Sequence, residues 1–128
     1  MQRKKRILLS KIGLDGHDRG IKILAKKLSN AGVEVVYLGL FQTVESVVST
    51  AVQEDVDYIG ISVLDGGQTL IAEDLIKALE TNKVSNVNVI FGGIIPERDK
   101  PVLKKIGVKA VFGPGTPIEK IVDTIGEN

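Results

Sequence analysis

The chain has 128 residues, with 17 lysines and arginines against 16 acidic residues and a formal charge of +1. That length supports a hydrophobic core without staples, and the absence of cysteine excludes disulfides and thiolate metal sites. Balanced charge gives no footing for nucleic-acid or membrane-surface binding, and no apolar run approaches the roughly 20 residues of a membrane span. The basic start, Met1 to Arg6, precedes an apolar run too short for a signal-peptide core, so a single cytoplasmic domain over residues 1–128 is expected.

Ile7-Leu8-Leu9 reads as a first strand. The glycine-rich stretch Lys11 to Gly20 follows, then a helix with Ile21, Leu24, Ala25 and Leu28 on one face, closed by Asn30-Ala31-Gly32. Val33 to Leu38 is a second strand. Thr43 caps a second helix whose buried stripe is Val44, Val47, Val48, Ala51 and Val52. Tyr58 to Ser62 is apolar almost throughout, as a central parallel strand should be. A third helix turns Ile71, Leu75, Ala78 and Leu79 inward. Val87 to Phe91 is the fourth strand, ending at Gly92-Gly93, and a short helix spans Lys100 to Ile106 with Pro101 in its first turn. Ala110 to Phe112 is a fifth strand. Thr116-Pro117-Ile118-Glu119 has the form of a capping box before a last helix that buries Ile118, Ile121, Val122 and Ile125.

Five strands alternating with five helices imply an α/β fold, a doubly wound parallel sheet. The flavodoxin-like order 2-1-3-4-5 is expected, with its switch point between strands 1 and 3. Ligands bind such sheets at the carboxyl ends of the strands near that point. The loops bearing His17 and Ser62 would flank one crevice there.

His17 is the only histidine. A lone loop histidine is ordinarily a solvated side chain. Asp15, two residues earlier, is close enough to accept the ring's second N–H, the arrangement that fixes the tautomer of a metal-bound histidine. Lys11, four residues before Asp15, could hold that carboxylate ionised. The glycines at 13, 16 and 20 let the backbone approach a large ligand closely. At the same sheet edge, Ser62 and Leu64 offer a hydroxyl and a backbone group. Gly92-Gly93 offers bare backbone, and Gly113-Pro114-Gly115-Thr116 leads into a helix N-terminus. Taken singly, each of these also reads as an ordinary turn.

The spacing Asp15-x-His17-x-x-Gly20 resembles the signature of cobalamin-binding domains. The fuller string Lys11-x-Gly13-x-Asp15-Gly16-His17-Asp18-Arg19-Gly20 resembles the methylmalonyl-CoA mutase branch, as do Leu40-Phe41-Gln42-Thr43 and Phe112-Gly113-Pro114-Gly115-Thr116. The resemblance covers nearly the whole chain. It implies adenosylcobalamin bound with its own base displaced, His17 as lower ligand to cobalt, and Lys11 and Asp15 tuning that ligand as catalytic residues. The cofactor contacts it implies run through Asp15 to Gly20 (Gly16, Asp18 and Arg19 included), Leu24, Ser62, Leu64, Gly66, Gly92, Gly93, Phe112, Gly113 and Thr116. One loop departs from the pattern: Leu64 to Leu70 is a residue shorter than usual, lacks the usual histidine and carries Asp65.

The chain has no barrel for a CoA thioester and no acid or base for substrate chemistry. The resemblance therefore implies the small subunit of an adenosylcobalamin-dependent acyl-CoA mutase, inactive alone. A larger barrel-bearing subunit would hold the acyl-CoA. Methylmalonyl-CoA mutase is the first expectation. The small subunit of 2-hydroxyisobutyryl-CoA mutase or glutamate mutase, and a non-catalytic corrinoid carrier or sensor, are the alternatives. A receiver domain is disfavoured because Ser62, not aspartate, ends the third strand. The apolar loops around Leu14, Leu40-Phe41 and Ile94-Ile95 are the expected docking surface for the partner.

Overall fold

A computed structural model describes residues 4–13, 16–64, 66–84 and 86–127. Its elements are β1 (Arg6–Ile12), α1 (Arg19–Asn30), β2 (Glu34–Gln42), α2 (Val44–Gln53), β3 (Tyr58–Val63), α3 (Gln68–Thr81), β4 (Asn88–Gly93), α4 (Lys100–Ile106), β5 (Ala110–Phe112) and α5 (Ile118–Gly126). The five strands form one sheet in the order β2-β1-β3-β4-β5, with every pairing parallel. This is the flavodoxin-like order expected from the sequence. No helix among the described residues is long and apolar enough to cross a membrane.

The strand period of two sends successive side chains to opposite faces. Leu8, Ile59, Ile61, Val63, Val89 and Phe91 point to one face, where α2, α3 and α4 cover them with Val47, Val48, Ala51, Ala72, Leu75, Leu79 and Leu103. Ile7, Leu9, Tyr58 and Ile90 point to the other, where α1 and α5 bring Ile21, Leu28, Ile121 and Ile125. Each valine, leucine, isoleucine or phenylalanine among them, fully buried, contributes about 1.5–3 kcal/mol of transfer free energy. At the amino-terminal edge of the sheet, buried Tyr58 donates to Thr124 O at 2.8 Å and accepts from Lys109 Nζ at 2.6 Å, tying α5 to β3 and β5.

Two local expectations are corrected. Val52 is exposed, not buried. Val47, Val48 and Ala51 already fill the arc of α2 that faces the sheet, and Val52 lies beyond it. Thr116 is not a helix cap: α5 begins at Ile118 after Pro117, with no side-chain cap bond. Thr116 Oγ1 instead donates to Gly113 O at 2.7 Å and closes the turn. Thr43 does cap α2, in a reciprocal box with Ser46 at 3.0 Å each way.

The second strand runs on past Leu38 to Gln42 because its end is bulged. Leu9 pairs with Tyr37, but Ser10 pairs with Gly39 and Ile12 with Gln42, so β2 carries an extra residue at each of two steps. The second step puts Phe41 at φ +58°. Left-handed backbone costs a bulky L-residue about 1–2 kcal/mol. Gln42 fastens the bulge: its Nε2 donates to Leu40 O at 3.0 Å and Leu38 O at 3.3 Å, while its Oε1 accepts from Ser46 Oγ at 3.0 Å.

Candidate functional site

On the α1/α5 face, a cleft of about 430 Å³ runs between the two helices down onto β1, β3 and β4. Ile21, Leu24 and Leu28 of α1 form one wall, and Ile118 and Ile121 of α5 the other. The floor carries Leu9, Gly60, Ser62, Ile90 and Gly92, and the rim carries Gly113, Pro114 and Thr116. The volume and the mostly apolar lining are those of a small-molecule site.

Three glycines shape the cleft. A β-carbon on Gly60, in the middle of β3, would lie 2.8 Å from Leu9 Cδ2 and 3.3 Å from Ile7 Cδ1. The neighbouring side chains lean over this bare backbone, which keeps the floor low. A β-carbon on Gly93 would lie 2.0 Å from Val63 O, and the residue sits at φ +110°, so the turn after β4 admits only glycine. Gly92 differs: its β-carbon would meet nothing closer than Phe112 O at 3.6 Å, an ordinary contact. The protein itself does not forbid a side chain at 92; leaving it out keeps the cleft open.

Lys11 is fully buried at the end of β1. Its Nζ donates to Ser62 O at 3.0 Å, with Ser62 Oγ at 3.5 Å. A buried ammonium must be hydrogen-bonded to be tolerated. Here it meets the main chain at the carboxyl end of β3 and fixes the residue that lines the cleft.

The loop from β1 to α1 starts at Gly13, whose N–H donates to Gln42 O at 2.9 Å. His17 is exposed on this loop, and Asp18 takes the cap position of α1 without a side-chain cap bond. Asp18 pairs instead with Lys22 at 2.7 Å. The hydrogen bond from Lys22 holds the Asp18 carboxyl below its ordinary range, and Asp18 in turn raises Lys22.

A family model for the B12 binding domain matches residues 5–122. The chain belongs to the B12-binding domain family. It is 45% identical over 120 residues to the 2-hydroxyisobutanoyl-CoA mutase small subunit of Aquincola tertiaricarbonis, covering 94% of this chain and 88% of that one. It is 46% identical over 123 residues to the pivalyl-CoA mutase small subunit of Xanthobacter autotrophicus, covering 96% and 82%. The match to methylmalonyl-CoA mutase of Cereibacter sphaeroides is 43% over 129 residues but covers 18% of that protein. The small-subunit mutases thus fit better than methylmalonyl-CoA mutase, the first expectation. The fold is shared with a cobalamin-binding protein of Desulfitobacterium hafniense at a TM-score of 0.81 and 21% identity, over 98% of this chain and 60% of that one.

Cobalamin is therefore the cofactor against which the site is to be judged, and the apolar cleft with the open floor at Gly60 and Gly92 fits a buried arm of it. Of the residues singled out in the sequence, Gly20, Leu24, Ser62, Leu64, Gly92, Gly93, Phe112, Gly113 and Thr116 line the cleft. Gly16, His17, Asp18 and Arg19 stand outside the lining, on the loop and first turn that lead to it. Gly66 is exposed at φ +85°, also outside the lining. Asp15, Leu14 and Asp65 lie outside the described residues, so the Asp15–His17 and Lys11–Asp15 links do too. Of the expected docking loops, Phe41 and Ile94 are each 59% exposed, whereas Ile95 is buried in the core and is withdrawn from that surface.

Sequence reasoning missed Gly60, Ile23, Lys27, Ile118 and Ile121 as lining residues. Gly60 carried a signal. Gly60 and Ser62 are both small and share one face of a strand otherwise built from Tyr58, Ile59, Ile61 and Val63.

Proposed function

We propose that this chain is the cobalamin-binding small subunit of an adenosylcobalamin-dependent acyl-CoA mutase of the 2-hydroxyisobutanoyl-CoA or pivalyl-CoA kind. The cleft between α1 and α5 carries the reading, because it is mostly apolar and reaches Gly20, where the His17 loop enters α1. The near full-length likeness to two mutase small subunits supports it. When bound, adenosylcobalamin supplies the radical chemistry, homolysis of its cobalt–carbon bond.

The chain's own residues bind and orient. His17, exposed on the loop before α1, would hold the cobalt through its imidazole. From the Asp15-x-His17 spacing in the sequence, Asp15 would accept the imidazole's other N–H and keep the ring in the ligating tautomer. Lys11 holds the end of β3 through Ser62, and the Ser62 hydroxyl and the Leu64 backbone would offer hydrogen bonds to the cofactor's base. Gly92, Gly93, Gly113 and Thr116 would leave room for the nucleotide arm, with Leu24 and Phe112 as apolar wall. Asp18 and Lys22 pair across the first turn of α1 at the mouth. The substrate task falls to a larger partner that supplies a closed pocket for the acyl-CoA, since thioester positioning and water exclusion need many converging groups. Exposed Phe41 and Ile94 suit its docking face.

The test is electron paramagnetic resonance on the purified chain loaded with cob(II)alamin, with and without nitrogen-15 histidine. Coupling that changes with the histidine label is expected. Coupling only to the cofactor's own base would overturn the assignment of His17. Acyl-CoA isomerisation is expected only after a large mutase subunit is added, and turnover by the chain alone would overturn the division of labour.

A further inference from the structure

Phe41 combines three properties that docking alone does not explain. It is bulky, it is 59% exposed, and it is held at φ +58° by a bulge that Gln42 fastens. Glycine would adopt that backbone without strain. A strained residue persists only where its surroundings over-determine it, and such residues gather at functional sites.

The surroundings name the function. A β-carbon on Gly16 would lie 3.7 Å from Phe41 Cζ and 4.0 Å from Cε1, so the tip of the ring stands over the Gly16 backbone. Gly16 precedes His17. The adjoining residue of the same bulge, Gln42, accepts the Gly13 N–H at 2.9 Å. The end of β2 thus grips the loop twice, by a hydrogen bond where it leaves β1 and by an aromatic ring immediately before the histidine. Phe41 sits at the second register shift, where Ile12 pairs with Gln42.

The geometry points to Phe41 as a positioning residue for His17: its strained backbone sets the ring against Gly16 and so pre-orients the loop that presents the imidazole. This rests on the cobalamin reading, but it makes a claim about the cofactor-free chain as well. The ring touches the loop rather than the metal, so its effect runs through loop order.

The decisive variant is Phe41→Gly, which relieves the backbone while removing the ring, with Phe41→Tyr restoring an aromatic edge. Three measurements are made on the isolated chain: thermal melting without cofactor, hydrogen exchange at residues 16–19 without cofactor, and the histidine-nitrogen coupling with cob(II)alamin. Phe41→Gly is expected to melt at or above the wild-type temperature yet exchange faster at residues 16–19. It should retain histidine-ligated cobalamin about 10-fold less well, in the range of losses seen when a ligand's support is removed. Phe41→Tyr should recover both. Unchanged exchange and unchanged coupling in Phe41→Gly would overturn the proposal, as would a lowered melting temperature, which would make the ring merely structural. Should the wild-type chain itself lack histidine coupling, the cobalamin reading fails. Exchange at residues 16–19 then still decides whether the ring orders the loop.

Discussion

The two faces of the sheet receive the same kinds of strand residue and do different things with them. On the α2/α3/α4 face, valines, leucines and isoleucines from three helices interlock with Leu8, Ile59, Ile61 and Phe91. On the α1/α5 face, only the amino-terminal half is closed in this way, around Tyr58, Leu28 and Ile125. Toward the carboxyl edge, glycine and serine replace branched residues, and the helices stand apart over a cleft of about 430 Å³. The same sheet is a core on one side and a receptacle on the other. What separates them is side-chain volume at a few alternate positions in β3 and β4, not a change of backbone plan.

The sharpest test of that view uses two neighbouring glycines. Gly93→Ala must force a β-carbon into Val63 O at φ +110°. It should cost about 4 kcal/mol or more, or abolish folding, because no flexible side chain can yield. Gly92→Ala has ordinary contacts and should change stability by less than about 1 kcal/mol, while a larger residue there should weaken cobalamin binding by filling the cleft. Chemical denaturation and a cofactor titration separate the two. Equal losses of stability would show that the cleft is not spare volume.

A second comparison crosses the sheet. Leu75 is fully buried on the packed face, and Leu75→Ala should cost about 2–5 kcal/mol. Leu24, half-buried in the cleft wall, already borders open space, so Leu24→Ala creates little new cavity. Its cost should fall below about 1.5 kcal/mol, with the larger effect on cofactor retention. Matching denaturation midpoints for the two variants would break the distinction between core and receptacle.

Much of this division is legible in the sequence. The strand and helix periodicities give the element order, and the run from Tyr58 to Ser62 marks a central strand. The glycine-rich stretches fall at one edge because every strand in a doubly wound sheet ends there. What escapes is set by three-dimensional register. Gly60 reads as a strand interior residue until its neighbours Leu9 and Ile7 are seen leaning over it. Phe41 reads as part of an apolar loop, because nothing in Leu40-Phe41-Gln42 announces two bulges, which depend on pairing with β1. Thr116 followed by Pro117 matches a capping signature, yet the turn at Gly113 competes for its hydroxyl and wins. The Lys11–Ser62 bond joins residues far apart in the chain, and no local pattern encodes it.

The smallest expected effects come from the helix starts, and they sharpen the same contrast. On the packed side, α2 begins with the reciprocal Thr43–Ser46 box, so Thr43→Ala removes a real cap and should cost about 1 kcal/mol. On the cleft side, α1 begins at Asp18 with no side-chain cap bond and only the exposed pair with Lys22. Exposed pairs within one helix turn contribute little, because solvent screens them. The sign of what remains is fixed. Lys22 lowers the Asp18 carboxyl in the folded chain, so the contribution is present above the unfolded carboxyl's range and is lost as pH falls through the lowered folded value. Asp18→Asn should therefore leave the melting temperature at neutral pH within experimental error of wild type, and any difference should vanish in acid. Melting curves for both variants between neutral and acidic pH measure this. A loss for Asp18→Asn as large as that for Thr43→Ala would mean that α1 is fastened at its start as firmly as α2, and that the mouth of the cleft is rigid without its ligand.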